Sequence, residues 1–147
     1  MPNFQNAKIY SIRSYTTDDV YIGSTTQTLA QRLGKHRGSY RYWKTHNTRD
    51  YTTSYDVLRH GDEYIELVEE YPCSNKDELH RREGEIIRST DNCVNKKIAG
   101  RSKKQYYQDN VDRIKIQHKQ YREDNVDKIK ANSKQYCEAN ANRIKQY

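Results

Sequence analysis

Two tyrosines, an arginine, a histidine and a glutamate carry the chemistry that this 147-residue chain offers. Arg32 and His36 lie four residues apart, so on a helix they share a face one turn from each other. A guanidinium presents a planar fork of donors that suits a phosphate, and an imidazole accepts or donates a proton near neutral pH. Glu83 follows Leu79 and precedes Ile86 at i, i+4, i+7 spacing, which puts it on an apolar helical stripe, whereas Glu85 falls on the solvated side. A carboxylate turned toward a core is costly unless it is paired or holds a cation. A buried partner such as Arg32 would satisfy Glu83, and so would a divalent metal. Tyr10 and Tyr21 sit in two segments rich in Ile, Val and Tyr.

Those segments, residues 7–13 and 20–24, read as a β-hairpin around the turn material Ser14-Tyr15-Thr16-Thr17-Asp18-Asp19. Symmetry about Thr16-Thr17 sets Tyr10 opposite Gly23 and Ile12 opposite Tyr21. Alternation then puts all four on one face, and Gly23 leaves a gap beside Tyr10 where a ligand could approach. Thr28 and Gln31 form a capping box for a helix with Leu29 and Leu33 inward, which Gly34 and Gly38 weaken at its far end. Residues 39–53 read as polar, aromatic and irregular. A short helix over 54–59 stops near Gly61, and a third strand over 64–71 ends at Pro72. Asn75 and Glu78 cap a helix from 76 to about 89, residues 93–98 are extended, and Gly100 closes the domain.

The net charge is +7, and its distribution says more than its size. Arg32, Lys35, Arg37, Arg41, Lys44 and Arg49 occur with no acidic residue among them, residues 50–70 reverse the sign, and residues 101–147 are again basic. Two basic blocks around an acidic stretch suit a phosphate backbone on one side of the molecule. Arg37-Gly38-Ser39-Tyr40-Arg41-Tyr42-Trp43-Lys44 interleaves cations and aromatics, and is expected to form a loop bordering the nucleic acid. Cys73, Cys93 and Cys137 are odd in number and make no C-x-x-C pair, which argues against a zinc site or a disulfide framework and for an intracellular, unsecreted protein. No apolar run approaches a membrane span.

Beyond Gly100 the sequence repeats. Lys104-Gln105-Tyr106 recurs at Lys119-Gln120-Tyr121 and Lys134-Gln135-Tyr136, and Asn110, Asn125 and Asn140 follow the same period of 15 residues. Each unit offers too few apolar residues to bury a core, so a solvated helix or loosely joined helical pieces are expected. The division is then residues 1–100 as one domain and 101–147 as a basic helical tail.

Lys8-Ile9-Tyr10 and Tyr21-Ile22-Gly23, with Ser24-Thr25 behind them, resemble the two halves of the GIY-YIG signature. Arg32, His36, Glu83 ahead of Ile86-Ile87, and Asn95 match the family's further positions in its own order, over residues 6–98. The first glycine of the signature is Lys8 here. The tail is similar to that of GIY-YIG proteins encoded by large DNA viruses, relatives of the homing endonuclease type.

The resemblance implies an α+β fold, a three-stranded antiparallel sheet flanked by helices, and a Mg²⁺ (or Mn²⁺) dependent endonuclease acting on DNA. Glu83 would hold the metal, Arg32 would bind the charge at phosphorus, Tyr10 would be the general base for the attacking water with His36 sharing or relaying the proton, Tyr21 would orient the water or the phosphate, and Asn95 would fix the local backbone. Lys8, Lys35, Arg37, Arg41, Lys44, Lys103 and Lys104 would contact DNA phosphates. A monomer would cut one strand, and a DNA-dependent dimer two. The alternatives are a non-catalytic DNA-binding or interaction protein on the same fold, and a nuclease of repair or of RNA.

Overall fold

A computed structural model of the chain describes residues 2–46 and 50–140. Strands β1 (Lys8–Ser14), β2 (Val20–Thr25) and β3 (Glu63–Glu70) form an antiparallel sheet in the order β2-β1-β3. The hairpin takes the register expected from its alternation, with Tyr10 opposite Gly23 and Ile12 opposite Tyr21. Helix α1 (Leu29–His46), the short α2 (Tyr55–Leu58) and α3 (Lys76–Ser89) flank the sheet. The α+β architecture expected from the sequence is the one observed.

The central strand is buried on both faces. Ile9, Val20 and Ile22 pack with Ala7, Leu79 and Ile87 on the α3 side. Tyr10 and Ile12 pack with Leu33 and Val57 on the α1 and α2 side. Cations along the acidic edge strand β3 pair with it: Arg13 with Glu66, Lys8 with Glu70 and Arg37 with Glu63. Such charges blunt an open edge against further strand pairing.

Both arms of the Thr28–Gln31 capping box form, each at 3.3 Å. The helix they start does not weaken at its glycines. It runs unbroken to His46, so residues 39–46, expected to be irregular, are helical, and Arg37 to Lys44 is a helical face rather than a loop. The reason is a long inward stripe. Leu29, Leu33, His36, Tyr40 and Trp43 recur at three- and four-residue spacing, and Tyr40 and Trp43 pack against the Tyr55 ring at 5.4 and 5.3 Å. This aromatic packing outweighs the helix propensity lost at two glycines, about 1 kcal/mol each. Arg49, counted in the basic block, lies outside the described residues.

The chain divides into two compact units, Met1–Arg101 and Ser102–Tyr147. The second contains α4 (Lys103–Asp109), α5 (Val111–Asp124) and α6 (Val126–Ala139). The helices break at Asn110, Asn125 and Asn140, each near φ −120°, and each Asn side chain donates to the carbonyl of the tyrosine four residues before it at 2.8–2.9 Å. The amide competes for a helix carbonyl, so the repeat period is also the period of helix interruption. The end of the third repeat, residues 141–147, lies outside the described residues.

Glycine substitutions test this packing. A Cβ at Gly34 or Gly38 meets nothing within 4 Å, whereas one at Gly23 would lie 2.5 Å from the Tyr10 hydroxyl. Gly34→Ala and Gly38→Ala are expected to raise the thermal midpoint, each adding about 0.5–1 kcal/mol. Gly23→Ala is expected to cost about 1–3 kcal/mol through overpacking. Thermal melts of the three variants check both signs.

Candidate active site

The gap expected beside Gly23 is filled by Tyr10 itself. The Tyr10 ring lies across the glycine, and the residue is 0% exposed. Its hydroxyl accepts from Arg32 Nε at 2.8 Å and lies 2.8 Å from His36 Nε2. His36 is only 7% exposed, because it falls on the inward stripe of α1. Its Nδ1 meets the hydroxyl of Ser54 at 3.1 Å, and Ser54 is fully buried. Ser54 stands at the N-cap of α2 but makes no side-chain capping bond. Its hydroxyl is committed to the histidine instead.

Two proton arrangements satisfy this chain. In one, Tyr10 O–H donates to Nε2 and Nδ1–H donates to Ser54. In the other, Ser54 O–H donates to Nδ1, and Nε2–H donates to a Tyr10 oxygen that also accepts from Arg32. The second suits an oxygen that has given up its proton, and the imidazole is neutral in both. Burial, reinforced by the Arg32 charge, pushes His36 down to about 4, so it is uncharged at neutral pH. Burial also raises Tyr10 well above the usual phenol range, as does the neighbouring Tyr21, while Arg32 pulls the other way.

Glu83 projects from α3 and is half-buried, and its Oε2 accepts from Ser24 Oγ at 2.5 Å. Arg32 spends its Nε on Tyr10 and forms no ion pair with Glu83, so of the two partners open to Glu83 the arginine is not the one used. Burial raises the Glu83 carboxyl above its ordinary value, while the Ser24 hydrogen bond and the charges of His80 and Arg32 act against this. Among the described residues no three His, Cys, Asp or Glu side chains converge, so no cage of protein ligands is built. One carboxylate, with one oxygen held by a hydroxyl, fits a hard divalent cation that completes its shell with water and phosphate oxygens.

Two cavities adjoin these groups. One, of about 170 Å³, is lined by Arg32, Lys35 and His36; the other, of about 470 Å³, by Glu83, His80 and Lys96. Tyr21 and Thr52 line both. The Tyr21 ring stands edge-on to His36 at 5.3 Å. Asn95 brackets one residue of β2, accepting from Ile22 N–H and donating to Ile22 C=O, both at 2.8 Å. With the Val20–Asn92 and Val94–Val20 bonds beside it, residues 92–95 run along the free edge of the hairpin.

The expected phosphate contacts divide. Lys35 lies on the small cavity, and Arg41 and Lys44 are exposed on α1. Lys8 and Arg37 are taken up by Glu70 and Glu63. Lys103 and Lys104 are exposed on α4, in the second unit. Sequence reasoning missed Ser54, His80, Tyr51, Lys96 and Lys97. Only His80 carried a usable signal, since it sits three residues before Glu83 on the same helix.

The GIY-YIG catalytic domain matches residues 6–98, and the chain belongs to this nuclease family. No curated protein and no solved structure matches the chain.

The buried neutral histidine makes stability depend on pH. Its folded pKa lies below the unfolded value of about 6.5, so the unfolded chain binds the extra proton first. Stability is then complete above about pH 6.5 and falls as the pH drops toward 4, by up to about 3 kcal/mol. Melts of wild type and His36→Gln from pH 7.5 to 4.5 are expected to show a steeper acid loss in wild type. Ser54→Ala leaves Nδ1 without its partner, at a cost of about 1–3 kcal/mol, and Ser54→Thr is expected to restore most of it.

Proposed function

We propose that the chain is a metal-dependent endonuclease that hydrolyses DNA phosphodiester bonds. The observation that carries this reading is a buried phenol joined to a guanidinium and a neutral imidazole that line one cavity, a half-buried carboxylate that forms no ion pair among the described residues and lines a second, and Tyr21 lining both. Hydrolysis of a phosphodiester needs an activated water, relief of charge at phosphorus and help for the leaving oxygen. The terminal amino groups of Arg32 have no partner among the described residues and stand at the cavity wall, suited to the charge that builds on phosphate oxygens.

Glu83 would hold Mg²⁺ or Mn²⁺, which when bound would supply Lewis-acid polarisation of the phosphate and charge stabilisation for the departing 3′ oxygen. The water's proton passes to Tyr10 or His36. Tyr10 is closed off from solvent behind Arg32 and His36, while His36 reaches the cavity wall. Tyr21 orients the phosphate, and Asn95 keeps β2 from shifting under it. The tail adds phosphate contacts through Lys103, Lys104 and their repeats, with affinity rather than base reading as the result. The Lys-, Tyr- and Asn-rich repeats also favour a setting among large DNA viruses. A monomer nicks; a double-strand break takes a DNA-dependent dimer or a second visit.

Plasmid DNA with Mg²⁺ is the direct test. Glu83→Ala is expected to lose about a hundredfold or more in rate. Of Tyr10→Phe and His36→Ala, the one that removes the base costs the larger factor. Intact plasmid with wild-type protein, under conditions where binding is saturated, would leave a DNA-binding protein rather than an enzyme. Separately, removing residues 102–147 is expected to weaken DNA binding and flatten the dependence of log K on log salt, by about 0.9 for each duplex phosphate that the tail neutralises. An unchanged slope would remove the tail from the interface.

A further inference from the structure

We infer that the larger cavity is a nucleotide subsite, which takes the sugar and base on the side of the break that keeps the 3′ hydroxyl. The inference rests on the nuclease reading for its polarity but not for its binding. At about 470 Å³ the cavity falls within the range of small-molecule sites, about 300–1,000 Å³. It is lined by a ring and cations, Tyr51, Lys96 and Lys97, beside Glu83 and His80.

Tyr51 is built as a platform. Its ring stands edge-on to Trp43 and Tyr55, both at 5.7 Å, so its tilt is set by the aromatic cluster of α1 and α2. The residue is nevertheless 41% exposed. Lys96 Nζ lies 5.1 Å from the ring centroid. A cation resting on an open aromatic face marks a surface that a flat base can take over, while the ammonium turns to an adjoining phosphate. The pairing of an aromatic face with lysines is the chemistry of single-stranded nucleotide binding.

The direction of the strand follows from Arg32, which faces the phosphorus in the nuclease reading, and from Glu83, the one carboxylate among the described residues on the larger cavity. The new 5′ phosphate carries the greater negative charge and belongs with Arg32 and Lys35 in the smaller cavity. The uncharged 3′ hydroxyl tolerates the neighbourhood of the Glu83 carboxylate. Tyr21, common to both cavities, then stands at the bond that breaks.

Trp43 is the only tryptophan in the chain, and its contact with Tyr51 makes it a reporter of this cavity. Full-length protein is titrated, without divalent metal, with pentathymidylate and with the same pentamer lacking its bases. Saturable change of Trp43 emission with the first, and at least fivefold weaker binding of the second, is expected. Tyr51→Leu should abolish that difference and Tyr51→Phe should keep it. Equal binding of both pentamers to wild type, or an unaltered preference in Tyr51→Leu, overturns the subsite. Polarity is read in cleavage: an abasic nucleotide immediately 5′ to the cut bond is expected to slow it about tenfold, and one placed 3′ to have little effect. The reverse pattern overturns the assignment of sides. A protein that cuts nothing but passes the binding test keeps the subsite and loses only the nuclease reading.

Discussion

The site depends on one close approach. The Tyr10 ring occupies the volume that a side chain on the paired strand would fill, and Gly23 is the residue that leaves that volume open. Packed there, the phenol is closed from solvent, and its hydroxyl must find partners inside the protein. Arg32 and His36 provide them because both lie on the same face of the helix that covers the hairpin. Burial, the hydrogen-bond chain and the neutral state of the imidazole are therefore one physical fact seen from three sides.

A second constraint acts on the same strand from outside. β2 is an edge strand of the sheet, yet it carries Tyr21 and the Ser24 that holds Glu83. Residues 92–95 run along that edge, and the Asn95 amide offers Ile22 both a donor and an acceptor, as a peptide unit of another strand would. The segment that follows crosses α3 closely, since a Cβ at Gly84 would lie 2.2 Å from the Ala99 carbonyl oxygen. Position 84 thus has no room for a side chain, and the chain from Asn95 to Ala99 brings Lys96 and Lys97 to the wall that Glu83 also lines. Packing of small residues shapes a polar cavity that Ala99 itself lines.

The tail follows a different logic. Its helices bury little, and their interruptions are encoded locally by Asn110, Asn125 and Asn140, each bonded to the carbonyl of the tyrosine four residues earlier. The interruption recurs because the sequence recurs, with no packing required to enforce it. In the first unit the balance is reversed. Gly34 and Gly38 read as helix-weakening, but the rings of Tyr40 and Trp43 against Tyr55 hold α1 together past them. Local propensity decides where packing is sparse and loses where it is dense.

The features legible in the order of residues alone are local and periodic. Alternation around a polar turn pairs Tyr10 with Gly23; four-residue spacing joins Arg32 to His36; a helical stripe turns Glu83 inward; a 15-residue period marks the tail. Each follows from the geometry of one backbone element, which neighbouring residues specify. The pairings between distant segments come from packing in three dimensions: Ser54 under His36, Asn95 against Ile22 across 73 positions, Lys96 over Tyr51, and Arg32 engaged by Tyr10 rather than by Glu83. These depend on how the elements pack and which buried polar groups are left to satisfy, and no period along the chain encodes that.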